Sequence, residues 1–285
     1  MTIEQPNRKS IDLWSARDVN YLREQQYATS DKLNARILLH SKYTTSKVDW
    51  FDWLHTNILW SAVRDALEVG CGTGLFWSAL PDSVDKNLRI TLTDLSPGMV
   101  DVSLSRTREL LTNVTGLEAD VENLPFEDAS FDLAIANQML YHAPNPARAL
   151  AELHRVLRPG GTLVASTNGP QHLQELFDIK AAVFGTNRSG TRADAFGSHT
   201  GRALLEQHFV DVEWRQFDDG LACSEVDDVV AYLTSTPPGE DATPEEVQRL
   251  RAETGQRMGR SGGVLKVTKD TGVFISRRAP TNSFS

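Results

Sequence analysis

Leu67-Glu68-Val69-Gly70-Cys71-Gly72-Thr73-Gly74 is the stretch on which the fold turns. An apolar run carrying one acid reads as a buried strand. Glycines at alternate positions then let the backbone turn sharply and approach a ligand with no Cβ in the way. The next strand also closes on an acid: Ile90, Leu92 and Asp94 share one parity, which puts the carboxylate at the carboxyl end, where open α/β sheets bind ligands. The spacing argues against a dinucleotide loop. A fingerprint starting at Gly70 needs glycine at 75, where Leu75 stands, and one starting at Gly72 needs it at 77, where Trp77 stands.

Outward from this loop the pattern alternates. Ser96-Pro97 is a helix start, continued by Val100, Leu104 and Leu111. Phe131–Ala136 reads as a second buried strand. Asn145-Pro146 caps a helix whose Leu150, Leu153 and Leu157 share a face, Arg158-Pro159-Gly160-Gly161 stops it, and Thr162–Ala165 begins another strand. Strands alternating with amphipathic helices over 65–166 imply a mostly parallel α/β sheet covered on both faces. Before it, residues 11–60 look helical and aromatic; Arg36 and His40 lie four apart on one helical face, and Trp50, Trp53 and Trp60 are expected to pack this arm onto the core. After Ser166 the composition loosens. The expected organisation is an N-terminal helical arm or lid over 1–60, a ligand-binding core over 61–166, an inserted cap over 167–208, and a C-terminal part of the core over 209–285. That last part should contain a strand at 209–217, a helix near 244–258 and a hairpin over 264–276.

The chain resembles class I S-adenosylmethionine-dependent methyltransferases. The loop with its acid, Glu-x-Gly-x-Gly-x-Gly, and the strand-terminal Asp94 are similar to that family's first two motifs. The run Glu118-Ala119-Asp120, Leu124-Pro125-Phe126, Ser130-Phe131-Asp132, Tyr141-His142 and Leu157–Gly161 resembles its type 11, or UbiE-like, branch. The resemblance implies a Rossmann-like fold with a seven-stranded, mostly parallel sheet, the cofactor S-adenosylmethionine and its product S-adenosylhomocysteine. The residue chemistry fits that ligand. Backbone N–H groups at Gly70, Gly72 and Gly74, near a helix start, suit its carboxylate. Glu68 would set a negative charge near the ammonium and sulfonium. Asp94 would accept from both ribose hydroxyls, and Leu95 and Met99 would sandwich the adenine. By the resemblance, Asp120 and Val121 hold the adenine amino group and Asn137 offers its carbonyl to the ammonium. The segments 27–36 and 168–172 are similar to a bacterial subgroup of small-molecule, natural-product methyltransferases, which implies that Tyr27 and Arg36 close over the cofactor.

The acceptor side is less legible. His142 is the first candidate base, because its motif places it at the carboxyl edge of the sheet; His172 is the second. The place after the fourth strand reads Asn137-Gln138-Met139-Leu140-Tyr141, without the proline pair frequent in amide and nucleobase methylation, so a small organic acceptor, methylated on oxygen or nitrogen, is expected. Alternatives are carbon or sulfur methylation, an RNA substrate, and a cofactor-binding protein without catalysis. A net charge of −9 weighs against nucleic acid. Cys71 and Cys223 are too few for a disulfide framework, no apolar run approaches the roughly 18 residues that cross a bilayer, and no signal-peptide core opens the chain, so a cytoplasmic protein is expected. No metal-ligand spacing is evident. A homo-oligomer, if formed, is expected to use the arm.

Overall fold

The computed structural model describes residues 30–185 and 192–281. A seven-stranded sheet in the order β3-β2-β1-β4-β5-β9-β6 forms the centre. Its strands are β1 (Asp65–Val69), β2 (Arg89–Asp94), β3 (Val114–Glu118), β4 (Phe131–Asn137), β5 (Leu157–Asn168), β6 (Val210–Gln216) and β9 (Thr271–Arg277). Only β9 runs against its neighbours, β5 and β6; the other pairings are parallel. The ligand-binding edge is therefore built by the carboxyl ends of β1, β2, β4, β5 and β6 and by the start of β9. A parallel sheet buried on both faces accounts for the near-continuous apolar run in β4 and β1.

Helices form where the sequence signals them. The side chain of Ser96 accepts from the Met99 N–H ahead of α4 (Pro97–Arg108), and that of Asn145 from the Arg148 N–H ahead of α5 (Pro146–Val156). The helix α5 ends at Val156, directly ahead of the expected stop, but β5 begins earlier than expected, at Leu157 instead of Thr162. Arg158–Gly161 is strand, held by reciprocal backbone bonds between Gly160, Gly161 and Arg278. One sheet face carries Leu67, Val69, Ala134 and Leu163 against Leu150 and Leu153 of α5. The opposite face carries Ala66, Ile90, Leu92 and Leu133 against Leu54 of α2 (Trp50–Thr56) and Phe76 and Trp77 of α3 (Leu75–Ser78). Trp50, Trp53 and Trp60 pack on this second cluster, as expected of them.

A third cluster stands apart from the sheet and revises the expected boundaries. Leu39 and Tyr43 of α1 (Ser30–Tyr43) pack with Leu176 and Ile179 of α6 (Gln174–Phe184), with Leu221 of β7 (Gly220–Cys223) and with Leu265 and Val267 of β8 (Leu265–Thr268). Val229 and Leu233 of α9 (Val226–Thr234) and Leu250 and Met258 of α10 (Pro244–Arg260) complete it. The cap is thus not confined to 167–208. It recruits α1 from the arm and most of 220–268. The segment around α7 (Arg192–Ala195) and α8 (Gly201–Leu205) instead joins the sheet, with Phe196 and Leu205 in its first cluster. The expected hairpin at 264–276 is absent: β8 pairs with β7 and β9 with β5 and β6, because the turn at Lys269-Asp270 sends the two strands into different sheets.

Candidate active site

Between β1 and α3 the backbone is left-handed at Gly70, Gly72 and Gly74, with φ of 63°, 53° and 72°. An added side chain would be strained at each. Packing separates the three. A Cβ on Gly70 would stand 2.9 Å from Met139, and one on Gly74 2.6 Å from Ser103 Oγ, whereas one on Gly72 would meet nothing within 4 Å. Gly70 and Gly74 are needed for close packing; Gly72 faces open space that a ligand could fill. The helix after the loop is a single turn, so it brings little helix field, and the N–H groups of Gly72 and Gly74 already donate to Asp94 and to the Cys71 carbonyl.

Asp94 lies beside this loop. Its carboxylate accepts from the Gly72 N–H at 3.0 Å and the Ser96 N–H at 2.9 Å. Burial pushes its carboxyl up, and the N–H groups of Ser96, Gly72 and Leu95 oppose that shift. Leu95 is half-buried and Met99 buried where the chain enters α4. Asp120 is exposed just beyond β3 and accepts from the Glu122 N–H at 2.9 Å; Val121 beside it is buried. Asn137 ends β4, its side-chain oxygen taken by Ser166 Oγ at 2.6 Å.

Glu68 is turned into the protein interior. The alternation of β1 turns it to the face of Ala66 rather than that of Leu67 and Val69, where its carboxyl is 2% exposed. The indole N–H of Trp77 donates to it at 2.7 Å. Burial pushes its carboxyl up to about 8, so at neutral pH the group is mainly uncharged. That is its state with no ligand in place; the negative charge expected beside the ammonium and sulfonium belongs to the ligand-bound state. Cys71 is buried and its thiol pushed far up by the same desolvation, which excludes a thiolate nucleophile there.

The two candidate bases sit in separate ring pairs. His142 ends a short 3-10 turn (Leu140–His142) after β4 and leans on Tyr141, with centroids 4.7 Å apart and the rings tilted by 51°. That turn is set by Gln138, which holds a left-handed φ of 54°. The Gln138 side chain donates to Thr271 Oγ1 at 3.0 Å and accepts from the Tyr141 hydroxyl at 3.2 Å. His172 stacks on His40 of α1. Tyr27 lies outside the described residues. Arg36 is close enough to His40 to act on its charge, as are Lys269 and Asp219, which pair with each other. Sequence reasoning missed Trp77, Gln138, His40 and the Asp219–Lys269 pair. Only the four-residue spacing of Arg36 and His40 hinted at any of them. Among the described residues no group of three or more metal-ligating side chains is gathered.

Comparison with known proteins agrees with this geometry. Residues 67–165 match the family described as a methyltransferase domain. A malonyl-acyl carrier protein O-methyltransferase of Serratia marcescens is 38% identical over 122 residues, which make up 42% of this chain and 44% of that protein. The chain thus spans less than half the length of this curated relative. The phosphoethanolamine N-methyltransferase 2 of Haemonchus contortus, solved with S-adenosyl-L-methionine, superimposes with a TM-score of 0.55 at 17% identity, covering 93% of this chain and 60% of that one. The (4+2)-cyclase SpnF superimposes with a TM-score of 0.53 at 20% identity, covering 90% and 96%. These two likenesses establish the fold. Together with the family match, they make residues 67–165 a class I methyltransferase domain of the type 11, UbiE-like branch, as the motifs led one to expect.

Proposed function

We propose that this protein is an S-adenosylmethionine-dependent methyltransferase acting on a small organic acceptor, on oxygen or nitrogen, in the cytoplasm and in bacterial secondary metabolism. The observation that carries the reading is the left-handed loop whose Gly72 opens onto free space beside Asp94. When bound, the cofactor supplies an electrophilic methyl on a sulfonium. The Gly70–Gly74 loop would lie against its methionine half, Asp94 would bind its ribose hydroxyls, Leu95 and Met99 its adenine, with Asp120 and Val121 at the adenine edge. Asn137 would orient the ammonium through its carbonyl, its side chain being anchored on Ser166. Tyr27 and Arg36 would close the arm over this end.

Transfer by in-line displacement rewards alignment, so the main work of these residues is to hold the methyl toward the acceptor. The acceptor approaches over the ends of β4 and β5, where His142 and His172 stand on separate segments. His142 would take the acceptor proton at an imidazole nitrogen; His172 is the second candidate. A relative that methylates malonyl-acyl carrier protein and a neighbour that methylates phosphoethanolamine support a non-nucleic acceptor. So does the acidic net charge of −9.

Because a cyclase shares the fold, binding and turnover are scored separately. Calorimetry with S-adenosylhomocysteine tests the site, and transfer of labelled methyl to a panel of phenols, amines and carboxylic acids tests the reaction. No heat of binding would end this reading. Binding without transfer to any member would leave a cofactor-binding protein.

A further inference from the structure

Glu68 stands one residue before the end of β1 and Asp94 closes the adjacent parallel β2, and Glu68 pairs in register with Leu92, two residues before Asp94. Neither carboxyl has a cationic hydrogen-bond partner among the described residues. Glu68 accepts from Trp77, and Asp94 from backbone N–H groups. The nearby titratable groups offer little compensation. Cys71 on the loop is a neutral thiol, and His55 of α2 is directed to the Phe76 carbonyl and kept neutral by burial. Arg106 of α4 donates to the Thr73 carbonyl. A carboxylate wholly buried without a cation, with a second, half-buried carboxylate near enough to act on it, is strongly disfavoured, and the usual resolution is a proton. Glu68, at 2% exposure, is the one that takes it.

The two forms of the cofactor differ by one unit of charge. The sulfonium form carries sulfonium, ammonium and carboxylate, for a net charge of plus one. The thioether product carries only the ammonium and carboxylate, for a net charge of zero. We propose that the Glu68–Asp94 pair reads this difference: Glu68 keeps its proton in the empty and product-bound states, and binding of the sulfonium form releases that proton to solvent. The step balances as protonated Glu68 plus sulfonium ligand giving carboxylate Glu68, bound ligand and one proton in the buffer. No other bond changes. Glu68 is then a specificity residue, favouring substrate cofactor over product by a charge that appears only when it is needed. The inference rests on the cofactor assignment proposed above.

The test is calorimetry at pH 7.0 in two buffers of different ionisation enthalpy, which gives the protons released per ligand bound. S-adenosylmethionine should release about half a proton or more beyond S-adenosylhomocysteine. The excess should fall by about half a proton or more in Glu68→Gln, which mimics the neutral acid and keeps an acceptor for Trp77. Whatever the ligand's own amino group contributes is common to both proteins, so the difference between them isolates Glu68. Glu68→Gln should weaken the sulfonium form about tenfold while holding the product form within about threefold. The wild-type excess should also disappear at pH 9.5, where Glu68 is already ionised, a check that needs no variant. Equal release by both ligands, or an excess undiminished in Glu68→Gln, overturns the proposal. Failure of both ligands to bind wild type would instead overturn the cofactor assignment, and this inference with it.

Discussion

The imidazole rings of His40 and His172 lie 6.3 Å apart and within 9° of parallel, and so join helix α1 to the segment that follows β5. Tyr232 of α9 meets His40 edge-on, Lys42 and Tyr43 both bond Asp228, and Thr44 bonds Asp219. Helix α1 is thereby tied to the third cluster and to the segment that follows β5.

This docking should loosen in acid. Burial, with Lys269 and Arg36 nearby, lowers His40 to about 4 from 6.5, against an opposing pull from Asp219. A base whose folded value is depressed contributes stability above pH 6.5 that is lost as pH falls toward 4, at up to about 1.4 kcal/mol per pH unit. Amide exchange across 35–43, corrected for intrinsic rates, is expected to speed up between pH 6.5 and 4.5. His40→Gln should flatten that response; an unchanged response would remove His40 as its cause.

The opposite sign applies to Glu68. Its folded value is raised from 4.5 to about 8, so its contribution is full below pH 4.5 and is lost as pH climbs through 8. Urea titrations of ligand-free protein should give falling stability from pH 6 to pH 9, with a slope of at most about 1.4 kcal/mol per pH unit. Glu68→Gln should abolish that slope.

Asp94 joins loop and ligand, since it accepts from Gly72 and Ser96 while facing the expected ribose. Asp94→Ala should weaken S-adenosylhomocysteine about 10- to 100-fold, the loss of hydrogen bonds to a charged acceptor. Affinity equal to wild type in a titration would exclude the ribose role.

His142 stands on the turn that Gln138 shapes, next to Met139, which packs on Gly70 of the loop. His142→Ala is expected to lower kcat by about 100-fold or more, while the product cofactor binds within about threefold of wild type. Unchanged turnover would exclude it as the base.

Arg158 provides the contrast from the far edge of the sheet. It donates to Asp65 at 2.9 Å and to Asp132 at 2.8 Å, at the starts of β1 and β4. At 37% exposure the pairs are solvent-screened, so Arg158→Met should cost about 1–2 kcal/mol by denaturant titration. Cofactor affinity should not change; a change would mean that the two edges are coupled.

Much of the core was readable because its signals are short-range. The Ser96-Pro97 and Asn145-Pro146 starts, the glycine loop and the parity of Ile90, Leu92 and Asp94 each lie within a few residues, and all appear as expected. The missed features join distant positions. Trp77 reaches Glu68 across the loop, His40 meets His172 from 132 positions away, and β8 leaves β9 for β7.

The sequence alone determined that a glycine loop after one strand and an acid after the next would face the same edge of a parallel sheet, because periodicity and capping act locally. Only the tertiary structure decided that α1 packs with α6, α9 and α10, that β9 runs against β5 and β6, and that the Glu68 carboxyl is taken out of water. Those outcomes depend on which distant apolar surfaces are buried together and on how far a carboxyl is removed from water, and no run of neighbouring residues encodes either.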